Sequence, residues 1–280
     1  MNSDLYFKIM TVSTVAFRSC IEALNQLLVD VNLEIIPRSK DNDGSLKILS
    51  VNNNISMLVH LRLYAKNFDI FDCEEKNVVG INIQNFFKLI KTLTNNDILS
   101  IYRTKDTKNK NKLFLKIDNE EKNQSFLYST QILDIENDIL DISTVDFTAI
   151  VIFNSNDFCK LIKDMNSLET KYIEIELNNK SITFRAIGDI ANAEAKLTEN
   201  ENNSIIIKYN DPTMCSEVIR NKFEIKNLVL LSKCCSLCNT VEIYIKKNFP
   251  MLMKFSISNL GHLHLCISPI MEENVDICEF

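Results

Sequence analysis

The sequence contains no tryptophan and only four glycines among its 280 residues. So few glycines leave few positions where a tight loop can close around a phosphate, and neither a G-x-G-x-x-G nor a Walker motif is present. No window approaches about 18 uninterrupted apolar residues, so we expect no transmembrane helix and no membrane partner. The N-terminal stretch MNSDLYFKIM lacks the basic and apolar regions of a secretory signal, and we expect none.

The overall composition is that of a soluble globular protein, with 46% apolar and 24% charged residues. The length is sufficient for one large domain or two of ordinary size. Nine cysteines, an odd number scattered mostly through apolar stretches, predict reduced thiols in a cytosolic or nuclear setting. The net charge of −6 argues against nucleic-acid binding unless cations are concentrated on one face.

Hydrophobic alternation predicts strands along most of the chain, whereas helical spacing occurs in only four places. The predicted strands cover residues 6–12, 45–51, 56–65, 97–102, 112–117, 125–132, 147–153, 172–177, 181–187, 204–209, 240–245, 251–257 and 262–267. The predicted helices cover residues 14–30, 84–94, 156–168 and 224–235. The predicted fold class is therefore α+β, with antiparallel sheets and few helices.

The order of these elements repeats once along the chain. The matching pairs are Phe17 with Phe158, Asn85 with Asn227 and Lys91 with Lys233, and their offsets agree to within one position. We infer an internal duplication of about 140 residues. The predicted organisation is an N-terminal domain at 1–133, an acidic connector at 134–146 and a C-terminal domain at 147–280.

The predicted helices carry lysine, arginine and small polar residues on the face opposite their apolar stripe. In the third helix, Lys160 and Lys163 lie opposite Phe158, Ile162 and Met165. A solvated surface is the ordinary explanation for one such face, but four of them in a net-acidic chain favour contacts with phosphates. The absence of aromatic residues from these faces argues against base stacking.

Three segments, in this order, resemble the proliferating cell nuclear antigen (PCNA) family of DNA sliding clamps. NFDIFDCEEKNVVGINIQNFFKLIK (67–91) resembles the family's segment leading into its second helix, ILDIENDILDIS (132–143) its interdomain connector, and FPMLMKFSISNLGHLHLCISPIMEE (249–273) its C-terminal end. The resemblance covers nearly the whole chain. It implies two tandem similar domains, and a ring of three subunits around duplex DNA with the helices lining the hole.

The resemblance also implies roles for individual cations. Those facing DNA would be Arg18, Lys88, Lys91, Lys160, Lys163, Lys226 and Lys233. Ser19, Asn25 and Ser167 are neutral where family members carry cations, which makes the lining less basic. Contacts of this kind read no base sequence, as a ring that slides along DNA requires.

Two protein-binding sites are implied as well. An apolar pocket for short peptides of replication and repair proteins would be formed by Val51, Leu58, Leu140, Ile142, Phe147, Pro250 and Pro269. Ser143, Cys266 and Ile55 depart from the family's usual residues and leave the peptide specificity open. The junction between subunits would pair strand 125–132 with strand 192–197 of the next subunit. Its residues would include Tyr128, Thr130, Ala193 and Ala195.

The cysteines and histidines near the C-terminus allow a second interpretation. CCSLC at 234–238 contains C-x2-C, and GHLHLC at 261–266 places two histidines and Cys266 on one face of a strand, which are spacings found at zinc sites. The resemblance instead makes GHLHLC the closing strand without a metal, and cysteine is also a small apolar core residue. We predict no metal and no cofactor.

The predicted function is that of a DNA polymerase processivity factor and not an enzyme, because no nucleophile with its base and no paired carboxylates stand out. The expected partners are double-stranded DNA, a DNA polymerase and other proteins with PCNA-interacting peptides, a clamp loader, and two further copies of the chain. The expected location is the nucleus, or a cytoplasmic replication site if the chain is viral. The stronger alternative is a paralogue acting as a monomer, a dimer or a heterotrimer subunit. A degenerate clamp that binds only peptides is a further alternative, and the basic helix faces argue against it. Segments 37–45 and 105–112 differ from typical members and could serve another partner.

Overall fold

The computed structural model describes residues 4–40, 42–52, 54–136, 145–199 and 205–270. The chain divides into two compact units. The first unit comprises Met1–Ser143, Ser236–Cys238 and Lys254–Leu265, and the second comprises Thr144–Cys235, Asn239–Met253 and Cys266–Phe280. No helix in the described ranges combines the length and the apolar character needed to cross a membrane.

The described residues of the first unit form two sheets and two α-helices. In chain order its elements are β1 (Leu5–Thr11), α1 (Thr14–Leu24), β2 (Asp30–Ile36), β3 (Ser45–Val51), β4 (Met57–Tyr64), β5 (Ile70–Cys73), β6 (Asn77–Asn82), α2 (Ile83–Ile90), β7 (Asp97–Thr104), β8 (Lys112–Asn119) and β9 (Gln124–Gln131). One antiparallel sheet has the order β5-β1-β7-β8-β9. The other has the order β6-β2-β3-β4 and continues to the late strand β18 (Gly261–Ile267), most of which belongs to this unit.

The second unit repeats the plan. Its elements are β10 (Ala149–Asn154), α3 (Ser155–Asn166), β11 (Thr170–Asn178), β12 (Ser181–Gly188), β13 (Asn192–Thr198), β14 (Ile205–Tyr209), β15 (Ile219–Glu224), α4 (Ile225–Ser232), β16 (Thr240–Ile245) and the start of β17 (Met251–Ile257). Its sheets have the orders β14-β10-β16-β17 and β13-β12-β11-β15. The starts of α1 and α3, and those of α2 and α4, are separated by the same offset to within one position, so the predicted duplication into two tandem similar domains is confirmed.

The core of each unit is built by strict alternation along the strands. In β4, every second residue from Met57 to Leu63 is at most 1% exposed, while the residues between them are half-buried. Helices cover these buried faces with their apolar stripes. Phe17 of α1 meets Phe86 of α2 edge-on, with ring centroids 6.5 Å apart. In the second unit, Phe158 of α3 packs against Phe153 of β10 at 5.9 Å.

Local side chains fix where two of the helices begin. The Asn82 side chain accepts a hydrogen bond from the backbone N–H of Asn85 at 2.9 Å, and Asn154 does the same for Asn156 at 3.0 Å. Asparagine is a favoured residue at this position because its oxygen satisfies a backbone donor that the helix itself leaves free. Both α2 and α3 therefore start one residue before the predicted boundary.

Some predicted elements differ from the observed ones. The first helix was predicted to reach residue 30, but α1 ends at Leu24, and β2 begins at Asp30 after a short turn. The apolar residues Leu27 and Leu28 are buried in that turn, so they extend the helical spacing without belonging to the helix. The sequence pattern also missed β2, β5, β6, β13 and β15, and residues 192–197 of β13 were named only through the family resemblance. β2, β6 and β15 adjoin a helical signal directly, β5 has only four residues, and β13 alternates small with polar residues.

Candidate nucleic-acid interface and partner sites

The helix pair of the first unit presents three of the predicted DNA-facing cations. Lys88 lies on the exposed face of α2, and Lys91, also exposed, occupies the position that ends this helix. Arg18 of α1 is half-buried, and its guanidinium Nη1 donates to the Leu93 carbonyl oxygen at 2.7 Å. That contact joins α1 to the segment that follows α2, so the half-buried Arg18 has a structural role.

The helix pair of the second unit presents the other four. Lys160 and Lys163 are exposed on α3, and Lys226 and Lys233 are exposed on α4. Lys226 forms an ion pair with Glu224 at 2.8 Å. Lys233 ends α4 just as Lys91 ends α2, at positions where a cation also interacts favourably with the C-terminal end of the helix dipole.

The exposed faces are less uniformly basic than predicted. Helix α3 also exposes Asp157 and Asp164, and helix α1 exposes Glu22. Asp157 lies in the first turn of α3, where a carboxylate is stabilised by the helix N-terminus. Ammonium groups among small polar residues can bind phosphate oxygens but offer no ring for stacking on bases. That all seven cations face one duplex stays a prediction.

The residues of the predicted peptide pocket fall into three groups. Val51 and Leu58 are half-buried in the first unit, at the end of β3 and the start of β4. Phe147, Pro250 and Pro269 are half-buried in the second unit. The remaining two, Leu140 and Ile142, lie outside the described residues. The assembly of these seven residues into one pocket therefore stays a prediction.

The second unit surrounds Phe147 with aromatic rings. Its ring centroid lies 5.6 Å from that of Tyr244 and 6.0 Å from that of Phe249, both edge-on. Burial raises the pKa of Tyr244, and the hydrogen bond that its hydroxyl donates to Glu242 at 2.6 Å raises it further. This cluster gives a fixed apolar surface immediately after the predicted connector.

The first unit holds the start of the connector against its sheet. The Leu133 N–H donates to the Gly80 carbonyl oxygen at 2.8 Å, and Asn32 Nδ2 donates to the Ile135 carbonyl oxygen at 3.2 Å. A Cβ at Gly80 would overlap the Leu133 carbonyl, so a glycine is required for this close approach. A cavity of about 530 Å³ opens beside it, lined mainly by polar side chains and by Val51, Ile55 and Ile135. Sequence reasoning missed Gly80, because its partner Leu133 is distant along the chain.

The predicted subunit edges are the outermost strands of their sheets. β9 ends one sheet of the first unit and β13 ends one sheet of the second. On β9, Phe126 is 50% and Leu127 59% exposed, and the Phe126 ring stacks on that of Tyr128 at 6.4 Å. Ala193 and Ala195 of β13 are half-buried. Unpaired edges with exposed apolar residues are suited to strand pairing with another chain, and their pairing between subunits stays a prediction.

The three histidines lie close together on the half-buried face of β4 and β18. The His264 ring centroid is 4.3 Å from that of His262 and 5.9 Å from that of His60. Burial and, to a smaller extent, neighbouring positive charges lower the pKa of His60 to about 4 and that of His264 to about 3. The hydroxyl of Tyr64 lies 3.2 Å from His262 Nδ1. Among the residues that the structure describes, no group of three or more histidine, cysteine or acidic side chains is arranged to hold a metal ion.

Models of the two domains of proliferating cell nuclear antigen match the chain almost end to end. The N-terminal domain model matches residues 7–139 and the C-terminal domain model matches residues 141–270. The chain belongs to the PCNA family. The predicted family and the sliding-clamp fold are thereby confirmed, whereas the domain boundaries at 133 and 147 stay predictions.

Individual relatives of this PCNA-family chain agree with the assignment. A Paramecium bursaria Chlorella virus 1 protein described as a probable DNA polymerase sliding clamp is 25% identical over 96% of this chain and 99% of its own length. Proliferating cell nuclear antigen of Chaetomium thermophilum is 25% identical over 90% of this chain and 93% of its own. The crystal structure of the Entamoeba histolytica protein superposes with a TM-score of 0.83 at 20% identity, covering 95% of this chain and 100% of its own. The chain is thus a sliding-clamp protein.

Proposed function

We propose that this chain is a DNA polymerase processivity factor. Three copies would close into a ring around duplex DNA and tether a polymerase, and other replication and repair proteins, through short peptides. The observation that carries the proposal is the repeated helix pair, because each unit of a PCNA-family scaffold packs two helices together and exposes lysines on at least one of them. An enzymatic activity is not part of the proposal.

The lysines suit a ring that must hold DNA and still move along it. An ammonium group attracts phosphates without reading the bases, and its contacts exchange readily with those of the next phosphate. The chain as a whole carries a net charge of −6, so its other surfaces repel DNA. This contrast between helix faces and the rest of the chain would keep the duplex against the helices.

The partner proteins would dock on apolar side chains on either side of the connector. Phe147, with its ring contacts to Tyr244 and Phe249, supplies a rigid aromatic surface, and Val51 borders the cavity of the first unit. Peptide capture of this type needs an apolar pocket with a few fixed polar groups. A clamp loader would be needed to open the ring. The site of action would be the nucleus, or a viral replication site in the cytoplasm.

A second candidate is a clamp paralogue that acts as a monomer or as one subunit of a heterotrimer. The observation in its favour is the diluted charge of the helix faces. Arg18 is tied to Leu93, and α3 exposes two carboxylates beside its two lysines. The exposed Phe126 and Leu127 on the β9 edge favour an assembled form over a monomer.

Two measurements separate these candidates. Light scattering over a dilution series should give about 97 kDa for a homotrimer, which is three times the chain mass of 32.2 kDa. Primer extension on a circular template, with a loader and a polymerase, should give longer products when the protein is present. A constant mass equal to that of a single chain would overturn the homotrimer, and unchanged product lengths with a stable trimer would overturn the processivity role.

A further inference from the structure

The connection between β7 and β8 is unusually rich in lysine. Between the last residue of β7 and the first of β8 the chain reads KDTKNKN, residues 105–111. Lys105, Lys108 and Lys110 are all exposed, and none of these seven residues is apolar. We call residues 105–111 the basic turn. It contains one acidic residue, Asp106, among the three lysines.

In the described part of the chain, the Asp106 carboxylate forms no ion pair with these lysines and instead accepts hydrogen bonds within the turn. Oδ1 accepts from the Lys108 N–H at 3.1 Å and Oδ2 accepts from Asn109 Nδ2 at 2.9 Å. The Asp106 carbonyl accepts from the Asn109 N–H at 3.0 Å. No ion pair formed by the described residues involves the three lysine ammonium groups of the turn. The acidic residue therefore shapes the turn and leaves the cations facing solvent.

The basic turn is also anchored at both ends. The Lys105 N–H donates to the Asp4 carbonyl at 2.8 Å, and Arg103 Nε donates to the Lys110 carbonyl at 2.9 Å. The Arg103 guanidinium lies over the Tyr6 ring, 4.7 Å from its centroid. A turn held in this way presents its cations without a large loss of backbone freedom on binding, which favours binding of a ligand.

The chemistry of the turn points to phosphates and not to a protein surface. Protein–protein interfaces have an apolar core and are depleted in lysine, and residues 105–111 offer three lysines and no apolar side chain. Closely spaced ammonium groups beside asparagine and threonine are instead typical of contacts to a nucleic-acid backbone. We propose that the basic turn is a second nucleic-acid contact, separate from the helix faces, that binds the phosphodiester backbone without reading its sequence.

The test compares two triple variants of equal charge. K105Q/K108Q/K110Q removes the three ammonium groups of the basic turn, and K171Q/K180Q/K247Q removes three exposed lysines of the second unit that form no ion pair in the described chain. Binding to fluorescent linear duplex DNA is measured by anisotropy from low to moderate KCl. Binding to single-stranded DNA and to RNA of the same length is measured in the same way. These measurements distinguish which kind of nucleic acid supplies the phosphodiester backbone.

The basic-turn variant should lower the slope of log affinity against log salt by about 2.7, at about 0.9 for each lost phosphate contact on duplex DNA. A fourfold rise in salt would then weaken the unchanged protein about 40 times more than the variant. The control variant should keep the original slope. D106N changes the charge in the opposite direction, because it removes a carboxylate from the turn. It retains an acceptor for the Lys108 N–H and should tighten binding to DNA.

Equal losses in both triple variants would mean that net charge alone acts, and would overturn the proposal. An unchanged salt slope in the basic-turn variant would also overturn the proposal. It would mean that the turn binds an acidic protein or no ligand. Solution mass and thermal unfolding of both variants should match those of the unchanged protein. The proposal is independent of the processivity role, since a chain that fails to extend primers in the circular-template assay can still bind linear DNA through the turn.

Discussion

The helix pair of the first unit and that of the second begin at matching positions and bury matching phenylalanines, but they expose different charges. Counting the residue that ends α2 and α4, the first pair has three cations and one carboxylate, whereas the second has four cations and two carboxylates. Both therefore carry a net charge of +2. Packing constrains the shape of each buried residue. An exposed charged residue can instead occupy a neighbouring position in the other unit and produce a similar electric field. The helix pairs of the duplicated halves therefore share a net charge more closely than they share the individual residues that supply it.

The largest effect should come from the matched core residues. Phe17→Ala and Phe158→Ala each remove a ring that is at most 1% exposed, and each should lower the free energy of unfolding by about 3–5 kcal/mol. Urea unfolding of the two variants measures this. Phe17→Leu and Phe158→Leu serve as controls and should cost less, because most of the buried volume remains. A loss below about 1 kcal/mol at only one of the positions would show that the two cores are not equivalent.

A smaller effect should follow from two glycines, one in each unit. A Cβ at Gly80 would overlap the Leu133 carbonyl oxygen, and one at Gly188 would overlap the Leu168 carbonyl oxygen. Replacement by alanine should cost about 1–3 kcal/mol in each case, because the backbone must shift. Only Gly80→Ala should also speed proteolysis near the connector, since Leu133 bonds to Gly80. Equal proteolysis of both variants would contradict this role of Gly80.

The comparison of charges can be tested directly on DNA. K88Q/K91Q in the first unit and K160Q/K163Q in the second each remove two exposed cations. Each should lower the salt slope of duplex binding by about 1.8, because two phosphate contacts are lost.

The double variant D157N/D164N serves as the control of opposite sign and should raise affinity, because it removes two carboxylates from the exposed surface of α3. An effect confined to one unit would show that only one helix pair meets DNA. Such a result would show that the two units differ in DNA binding, although their helix pairs carry the same net charge.

At neutral pH the smallest effect should come from the histidines, all three of which belong to the first unit. His60 and His264 have pKa values lowered to about 4 and about 3, against about 6.5 when unfolded. At a pH between its folded and unfolded pKa values, each histidine binds more protons in the unfolded chain than in the folded one. The folded state is therefore fully stable with respect to these groups above pH 6.5, and this stability is lost as the pH falls towards 4. H60Q/H264Q should flatten this loss, so the melting temperature of the variant should fall less between about pH 7 and about pH 4 than that of the unchanged protein. An unchanged dependence would assign acid sensitivity to other groups.

Much of the fold could be predicted from the sequence because apolar periodicity and a repeated offset are local signals. Phe17 and Phe158, for example, share both an offset and a buried position. What could not be predicted depends on contacts between distant residues. The bond from Arg18 to the Leu93 carbonyl joins residues 75 apart and changes a predicted DNA contact into a partly structural one. Asp157 and Asp164 can be read from the sequence, but their exposure on α3 is seen only in the structure.

The candidate sites were predictable to different degrees. Exposed lysines on helices follow from spacing alone, and six of the seven predicted cations are exposed. The peptide pocket depends on side chains from separate parts of the chain, so its members could be named by resemblance but not by pattern. Gly80 left no pattern either, because a single glycine in a strand signals a close approach without naming its partner.

The exposed edge of β9 has a consequence for the chain while it is being synthesised. β9 is complete at Gln131, whereas β13 is complete only at Thr198. At roughly 5–20 residues per second, translation leaves this interval open for about 3–13 s. During that time Phe126 and Leu127 are present on a nascent polypeptide that cannot yet offer its own β13 to a second copy. The exposed apolar edge is therefore already present on the ribosome-bound chain, before that chain is a finished subunit.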